Sequence, residues 1–160
     1  MSILTKKSIL VTGGTGSIGT ALVKKAILDK AKLIRVFSND ENGLYELESE
    51  FSNHKNIEYV IGDIQNEEIV NKIVKDIDIV FHAAALKHVD RCEMNPLETI
   101  NVNIIGTKNI ANAAQKENIQ RMIFISTDKA VNPIGVMGAT KLLGEKLISS
   151  EASHQSNTIF

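Results

Sequence analysis

Ser126, Thr127, Asp128 and Lys129 stand in a row directly after the apolar run Met122 to Ile125. Asp128 beside Lys129 sets a carboxyl against an amine. Such a pair moves protons in both directions when neighbouring charge and loss of water bring the two pKa values toward neutrality. It is also what a solvated loop with a weak surface ion pair looks like. Met137 and Lys141 are four residues apart, so on a helix they share a face. Lys141 then either reaches the ribose of a bound ligand or stays in water.

A second arrangement binds rather than reacts. Ile9, Leu10 and Val11 run into Thr12, and Gly13, Gly14, Gly16 and Gly19 follow at once. Gly14-Thr15-Gly16-Ser17-Ile18-Gly19 fits G-x-G-x-x-G, while Gly13, Gly16 and Gly19 fit G-x-x-G-x-x-G. Glycine at 13 and 14 permits positive φ, glycine at 16 puts no Cβ between the backbone and a pyrophosphate, and Gly19 lets a helix lie close to the strand. That helix starts at Ser17 and Ile18, and its free N–H groups and positive dipole end suit an anion. A glycine turn that merely packs has the same letters; its place directly after a first strand favours the dinucleotide reading.

The elements that position these groups alternate along the chain. Ile18, Leu22, Ala26 and Ile27 predict the inward face of a first helix, and Leu33 to Phe37 a second strand. The strand tip, Ser38-Asn39-Asp40-Glu41, falls where a dinucleotide fold reads the adenosine ribose, although Asp40 and Glu41 equally suit a helix start. Leu44, Leu47 and Phe51 predict a second helix and Ile57 to Ile61 a third strand. Asp63 next to it either bonds an adenine amine or caps the helix carried by Ile69, Ile73 and Val74. Ile77 to Phe81 predicts a fourth strand. Beyond it Ala83, Ala84 and Ala85 leave room for a flat ligand.

Asn95-Pro96-Leu97-Glu98 reads as a capping box that opens a helix running to about Glu117, with Leu97, Ile100, Ile104, Ile105 and Ala111 as its apolar face. Asn101 beside that face is either a structural hydrogen bonder or part of a buried water relay. Arg121 to Ile125 predicts a fifth strand, and a last helix carries Lys141, Leu142, Leu143, Leu147 and Ile148. Asn157 to Phe160 reads as the first residues of a sixth strand. The fold class is α/β, a doubly wound parallel sheet that stops at its sixth strand. Residues 1–160 then form one dinucleotide-binding domain, the N-terminal piece of a longer protein whose substrate-binding portion lies outside it.

A net charge of -1 gives no field to attract nucleic acid or an anionic membrane surface. Cys92 is the single cysteine, which excludes a disulfide framework and suggests a reducing compartment. The N-terminal apolar run is too short for a span or a cleavable signal, so a cytoplasmic protein is expected. His82 and His88, with Asp90 and Cys92 near the latter, match no compact zinc spacing, and no metal is expected.

TGGTGSIG, GDI, FHAAALKHVDRCEMNPLETINVNIIGTKNI and ISTDKAVNPIGVMGATK together resemble the extended short-chain dehydrogenase/reductase superfamily. Within it they are similar to the CapD-like branch of nucleotide-sugar 4,6-dehydratases in polysaccharide biosynthesis. The resemblance implies a Rossmann-like fold, NAD or NADP as cofactor, a UDP-N-acetylhexosamine substrate and a homo-oligomer. It also implies a reaction: hydride passes from sugar C4 to the cofactor, water leaves across C5 and C6, and the hydride returns to C6. Carried over by position, Lys129 is the base at C5, Asp128 the acid at the leaving hydroxyl, and Thr127 the residue that positions the sugar. Lys141 matches the lysine of the superfamily's Tyr-x-x-x-Lys pair. The cofactor contacts fall to Gly13, Thr15, Gly16, Ser17, Ile18, Gly19, Ser38, Asn39, Asp63, Ile64, Ala83, Ala84, Ala85, Lys87, Asn101 and Lys141.

Two positions depart from the pattern. Met137 stands where the superfamily has tyrosine, and a thioether relays no proton; a sub-branch of these dehydratases is similar in carrying methionine there. The acceptor for C4 oxidation then falls to Thr127, Asp128 or a bound water. Asn39 stands where some relatives have an arginine for the 2'-phosphate. A UDP-sugar epimerase and a non-catalytic dinucleotide-binding module are the competing readings, and Asp128-Lys129 favours dehydration over epimerisation.

Overall fold

The computed structural model describes residues 2–153 and 158–160. Five strands, β1 (Ser8–Thr12), β2 (Leu33–Ser38), β3 (Ile57–Ile61), β4 (Ile79–His82) and β5 (Arg121–Phe124), form one sheet in the order β3-β2-β1-β4-β5. Every pairing is parallel, with Val11 opposite Val36 on one side and Phe81 on the other. The chain runs outward through β2 and β3, then crosses back to the other side of β1 for β4 and β5. The topological switch therefore lies between β1 and β4, where open parallel sheets bind ligands.

Side-chain alternation gives the sheet its two cores. Ile9, Val11, Ile34, Val36 and Ile79 pack against Val23 and Ala26 of α1 (Ser17–Leu28) and Leu44 and Leu47 of α2 (Glu41–Glu50). Leu10, Phe37, Val80 and Met122 face the other way, onto Val70 of α3 (Glu67–Ile73), Ile110 and Ala114 of α6 (Thr107–Lys116), and Ile148 of α7 (Val136–Ser153). Both faces are covered, which is why β1 is buried at all of its positions. Met122 N–H donates to the Ile159 carbonyl, so Thr158 to Phe160 begin to extend the sheet beside β5. Asn157 lies outside the described residues. Among the described residues no helix is long and apolar enough to cross a membrane.

Several local expectations change. Ile18 is exposed; the inward face of α1 is Gly19, Val23 and Ala26, because the first turn of the helix overhangs the mouth of the sheet. Asp40, one of whose two expected roles is a helix start, is the N-cap of α2, its carboxylate accepting from Gly43 N–H at 3.0 Å. Asp63 caps no helix: Asn66 caps α3, while Asp63 accepts from Gln65 N–H at 2.8 Å. A short helix α4 (Val89–Met94), not foreseen, ends immediately before α5 (Pro96–Ile100). That juxtaposition breaks the expected capping box. Asn95 turns its amide back to the Arg91 carbonyl at the end of α4, and Glu98 accepts from Gln65 instead.

The expected long helix is three segments in series: α5, a π-helical stretch Asn101–Gly106, and α6. Its inward strip is Thr99, Asn103, Gly106, Thr107, Ile110 and the expected Ala111, whereas Leu97, Ile100 and Ile105 face water. Hydrophobicity misplaces this face because polar side chains occupy the buried one and find hydrogen bonds there. The buried amide is accordingly Asn103, and Asn101 is only half-buried.

Candidate functional site

A crevice opens over the carboxyl ends of β1, β2, β3 and β4. It is lined by Gly13, Thr15 and Gly16, by Phe37 to Asp40, by Gly62 to Ile64, by Ala83 to Lys87, and by Glu98 and Val102. Gly13 adopts φ +66°, and a Cβ there would meet the Ala84 backbone nitrogen at 2.7 Å. Only glycine fits between the turn and the strand beside it. A Cβ on Gly16 would touch nothing nearer than the Gly13 carbonyl at 3.4 Å. The missing side chain at 16 therefore leaves open crevice beside the N-terminus of α1, where an anion is favoured. Thr15 Oγ1 and Ser38 Oγ lie 3.0 Å apart and tie the turn to the tip of β2.

Of the expected cofactor residues, the crevice gathers Gly13, Thr15, Gly16, Ser38, Asn39, Asp63, Ile64, Ala83, Ala84, Ala85 and Lys87. Ser17 and Ile18 lie on the exposed first turn of α1 and Gly19 beneath it, outside the lining. Asn101 and Lys141 also stand outside it. Phe37, Leu86, Glu98 and Val102 join the wall unannounced, together with Asp40 from the expected strand tip. Asp40 was legible as a strand-tip acid, but nothing local in the sequence signals Val102.

Asn103 holds the wall behind the alanines. Its side chain accepts from Leu86 N–H at 2.8 Å and donates to the Leu86 carbonyl at 3.0 Å and to Thr140 Oγ1 at 3.1 Å. Thr140 in turn donates to the Met137 carbonyl at 2.9 Å, so one amide joins the post-β4 loop to α7. A second buried line begins at Ala84 N–H, which donates to Thr12 Oγ1. Thr12 lies 2.7 Å from His82 Nδ1, and His82 Nε2 lies 2.9 Å from Thr107 Oγ1, whose own hydrogen goes to the Asn103 carbonyl. The proton count assigns His82 as neutral, with its hydrogen on Nε2. Burial first, then the nearby Lys141 charge, push its pKa down to about 3. His82 is thus a structural imidazole, and no cluster of three or more His, Cys, Asp or Glu groups gathers among the described residues.

The reactive row sits at the end of β5. Asp128 to Ala130 form a 3-10 turn capped by Thr127, whose hydroxyl donates to Asp128 Oδ1 at 3.0 Å. Lys129 Nζ lies 3.5 Å from the same oxygen, and both charged side chains are more than half exposed. The Thr127 hydroxyl, then the Lys129 ammonium, hold the Asp128 carboxyl below the usual carboxylate range. Ser126 donates instead to Glu145 on α7. Lys141 is neither solvated nor in the crevice. It is buried, donating to the Ile125 carbonyl at 2.6 Å with Nζ 3.9 Å from the centre of the Phe124 ring. Burial pushes its pKa down to about 8 against a smaller opposing pull from Glu145. Met137, buried one turn earlier, offers no proton to the site.

Residues 9–160 match the model of the family described as "Polysaccharide biosynthesis protein". The chain is 51% identical over 144 residues to an uncharacterized membrane protein of Methanocaldococcus jannaschii, covering 90% of this chain and 43% of that protein. It is 45% identical over 150 residues to a UDP-glucose 4-epimerase of Rickettsia bellii, covering 91% and 44%. Among solved structures, Pen from Bacillus thuringiensis superposes with a TM-score of 0.96 at 40% identity, over 100% of this chain and 50% of its own. The chain spans about half the length of the relatives it matches.

Proposed function

From the premise that the chain belongs to the polysaccharide biosynthesis protein family, we propose that it is the dinucleotide-holding domain of a nucleotide-sugar 4,6-dehydratase acting on a UDP-N-acetylhexosamine. The observation that carries this reading is the contiguous hydroxyl, carboxylate and ammonium of Thr127, Asp128 and Lys129 at the end of β5. Proton abstraction at one sugar carbon and protonation of a leaving hydroxyl at the next need an acid and a base side by side.

The glycine cradle at Gly13 and Gly16 suits the pyrophosphate of NAD or NADP. When bound, the dinucleotide supplies reversible oxidation at sugar C4. The residues of the chain handle the protons. Thr127 accepts the proton of the C4 hydroxyl while passing its own to Asp128, the carboxylate it already bonds, which removes the need for a phenol at Met137. Asp128, ionised at rest, becomes an acid only by receiving that proton, and it then gives it to the C6 hydroxyl that leaves as water. Lys129, in its neutral amine form after its ammonium proton has gone to the solvent that its half-exposed side chain reaches, takes the C5 proton made acidic by the C4 ketone. It returns a proton to C5 when the hydride adds at C6. Lys141 positions the end of β5 through its bond to Ile125. In a homo-oligomer, the exposed Leu97, Ile100, Ile105 and Leu143 provide apolar surface for the second copy.

The name of the Rickettsia relative favours a second reading, epimerisation at C4 without loss of water. Incubation of UDP-N-acetylglucosamine with the protein at the length of its relatives, followed by mass spectrometry, separates the two. A product lighter by one water supports the dehydratase. A product of unchanged mass with inverted C4 supports the epimerase, and bound dinucleotide with no product supports a non-catalytic module.

A further inference from the structure

The proton transfers of the reactive row fall to Thr127, Asp128 and Lys129, and Ser126 beside them has no part in that chemistry. Its hydroxyl donates out of the row, to the half-buried Glu145 carboxylate on α7. Lys141 stands four residues before Glu145, so on the same helix face, and donates to the Ile125 carbonyl at 2.6 Å. Gly138, one turn earlier again, lies so close to the row that a Cβ there would meet the Lys129 carbonyl oxygen at 2.2 Å. One face of α7 therefore touches Ile125, Ser126 and Lys129, on either side of Thr127 and Asp128. Glu145 also bears on the Lys141 contact: burial depresses the Lys141 pKa and the Glu145 carboxylate opposes it, which favours the ammonium that bonds Ile125.

We propose that Glu145 is a positioning residue of the reaction: by accepting the Ser126 hydroxyl it fixes the residue before Thr127 and so aims the Thr127 and Asp128 oxygens at the C4 hydroxyl proton. The proposal rests on the reading that Thr127 takes that proton and deepens it by naming the group that aligns it. Asp128 and Lys129 are more than half exposed, so packing around their own side chains does not hold the row. Its direction comes from the chain on either side. The Gly138 and Lys141 contacts fix carbonyl groups, whereas the bond from Ser126 ends on a carboxylate, the stronger kind of acceptor, directly before the reacting hydroxyl. A reacting oxygen that wanders loses rate far more than it loses substrate, because its contact tightens in the transition state. Glu145 therefore acts on kcat and leaves KM nearly untouched.

The test is steady-state turnover of UDP-N-acetylglucosamine by the protein at the length of its relatives, supplied with NAD+ and NADP+ together. Wild type is compared with Glu145→Ala, Glu145→Gln, Ser126→Ala and the double alanine variant, below the melting temperature of each. Ser126 is exposed, so Ser126→Ala breaks the bond and leaves the fold alone. Both single alanine variants should lose about tenfold or more in kcat with KM within about twofold of wild type. The double variant should be no slower than the slower single one, since both remove the same bond. Glu145→Gln keeps an acceptor oxygen for Ser126 and should recover most of the lost kcat. Unchanged kcat in either single alanine variant, a rise in KM alone, losses that multiply in the double variant, or a glutamine variant as slow as the alanine one overturns the proposal. A wild type that yields the C4 epimer overturns the dehydratase reading alone, because oxidation at C4 is common to both reactions and the same comparison of kcat decides the role of Glu145. No turnover by the wild type overturns the reading of the reactive row, and the proposal falls with it.

Discussion

Lys141 donates to the Ile125 carbonyl at 2.6 Å from a buried position over the ring of Phe124, so an ammonium is held in the core at the very end of β5. Desolvation of that charge costs stability. Because the folded pKa of about 8 lies below the unfolded value of 10.5, the unfolded chain binds the extra proton between those values, and stability rises with pH across that window. Lys141→Met, similar in length and uncharged, should raise stability at pH 7 by about 1–3 kcal/mol in urea unfolding. The gain should shrink as pH rises past 8. A loss of stability at pH 7 would show that the bond to Ile125 outweighs the buried charge.

His82 makes the complementary prediction at acid pH. Its folded pKa of about 3 lies below the 6.5 of a free histidine, so its contribution is complete above about pH 6.5 and is lost as pH falls toward 3. Protonation of Nδ1 would also force the Thr12 hydroxyl to turn away. Unfolding free energy measured between pH 7 and 4 should fall with a slope approaching about 1.4 kcal/mol per pH unit. In His82→Gln the slope should be shallower, and equal slopes would place the acid sensitivity elsewhere.

Asn103 joins the wall of the crevice to α7. Asn103→Ala strands both backbone groups of Leu86 and takes a donor from the Thr140 hydroxyl, which keeps its bond to the Met137 carbonyl, for an expected loss of about 2–3 kcal/mol. NADH affinity, followed by nicotinamide fluorescence, should drop several-fold at temperatures where the variant remains folded. Unchanged affinity would mean that the loop after β4 keeps its shape without the amide.

Two glycine substitutions separate folding from binding. Gly13→Ala puts a Cβ into the Ala84 backbone at positive φ and should unfold the chain or cost several kcal/mol. Gly16→Ala meets nothing closer than 3.4 Å, so its melting temperature should match the wild type while NADH binding falls at least about tenfold. Retained binding in Gly16→Ala would move the phosphate site away from the turn.

The order of strands and helices was legible because each strand is a short apolar run closed by turn residues and each helix carries its own period. The glycine turn was legible for the same local reason. What escaped was set by contacts distant in sequence. The helical period pointed to Asn101 as the buried amide, whereas the π-helical turn and the loop after β4 make it Asn103. Lys141 read as a ribose contact or a solvated lysine, and neither reading included burial, because the Ile125 carbonyl that draws it inside belongs to another element. The capping box at Asn95 failed through a helix that ends one residue before it. Asp40 showed the reverse: both readings of its sequence position, crevice acid and helix cap, hold at once.

The central claim is that Thr127, Asp128 and Lys129 carry proton transfers of a sugar dehydration, with Lys129 as the base at C5. Its most direct test is the reaction of UDP-N-acetylglucosamine in deuterated water with the protein at the length of its relatives, read by proton NMR at C5, beside Lys129→Ala. The account predicts solvent deuterium at C5 of a 4-keto-6-deoxy product from the wild type and no exchange at C5 from the variant. A product that retains its C5 proton, or undiminished exchange in Lys129→Ala, would contradict it.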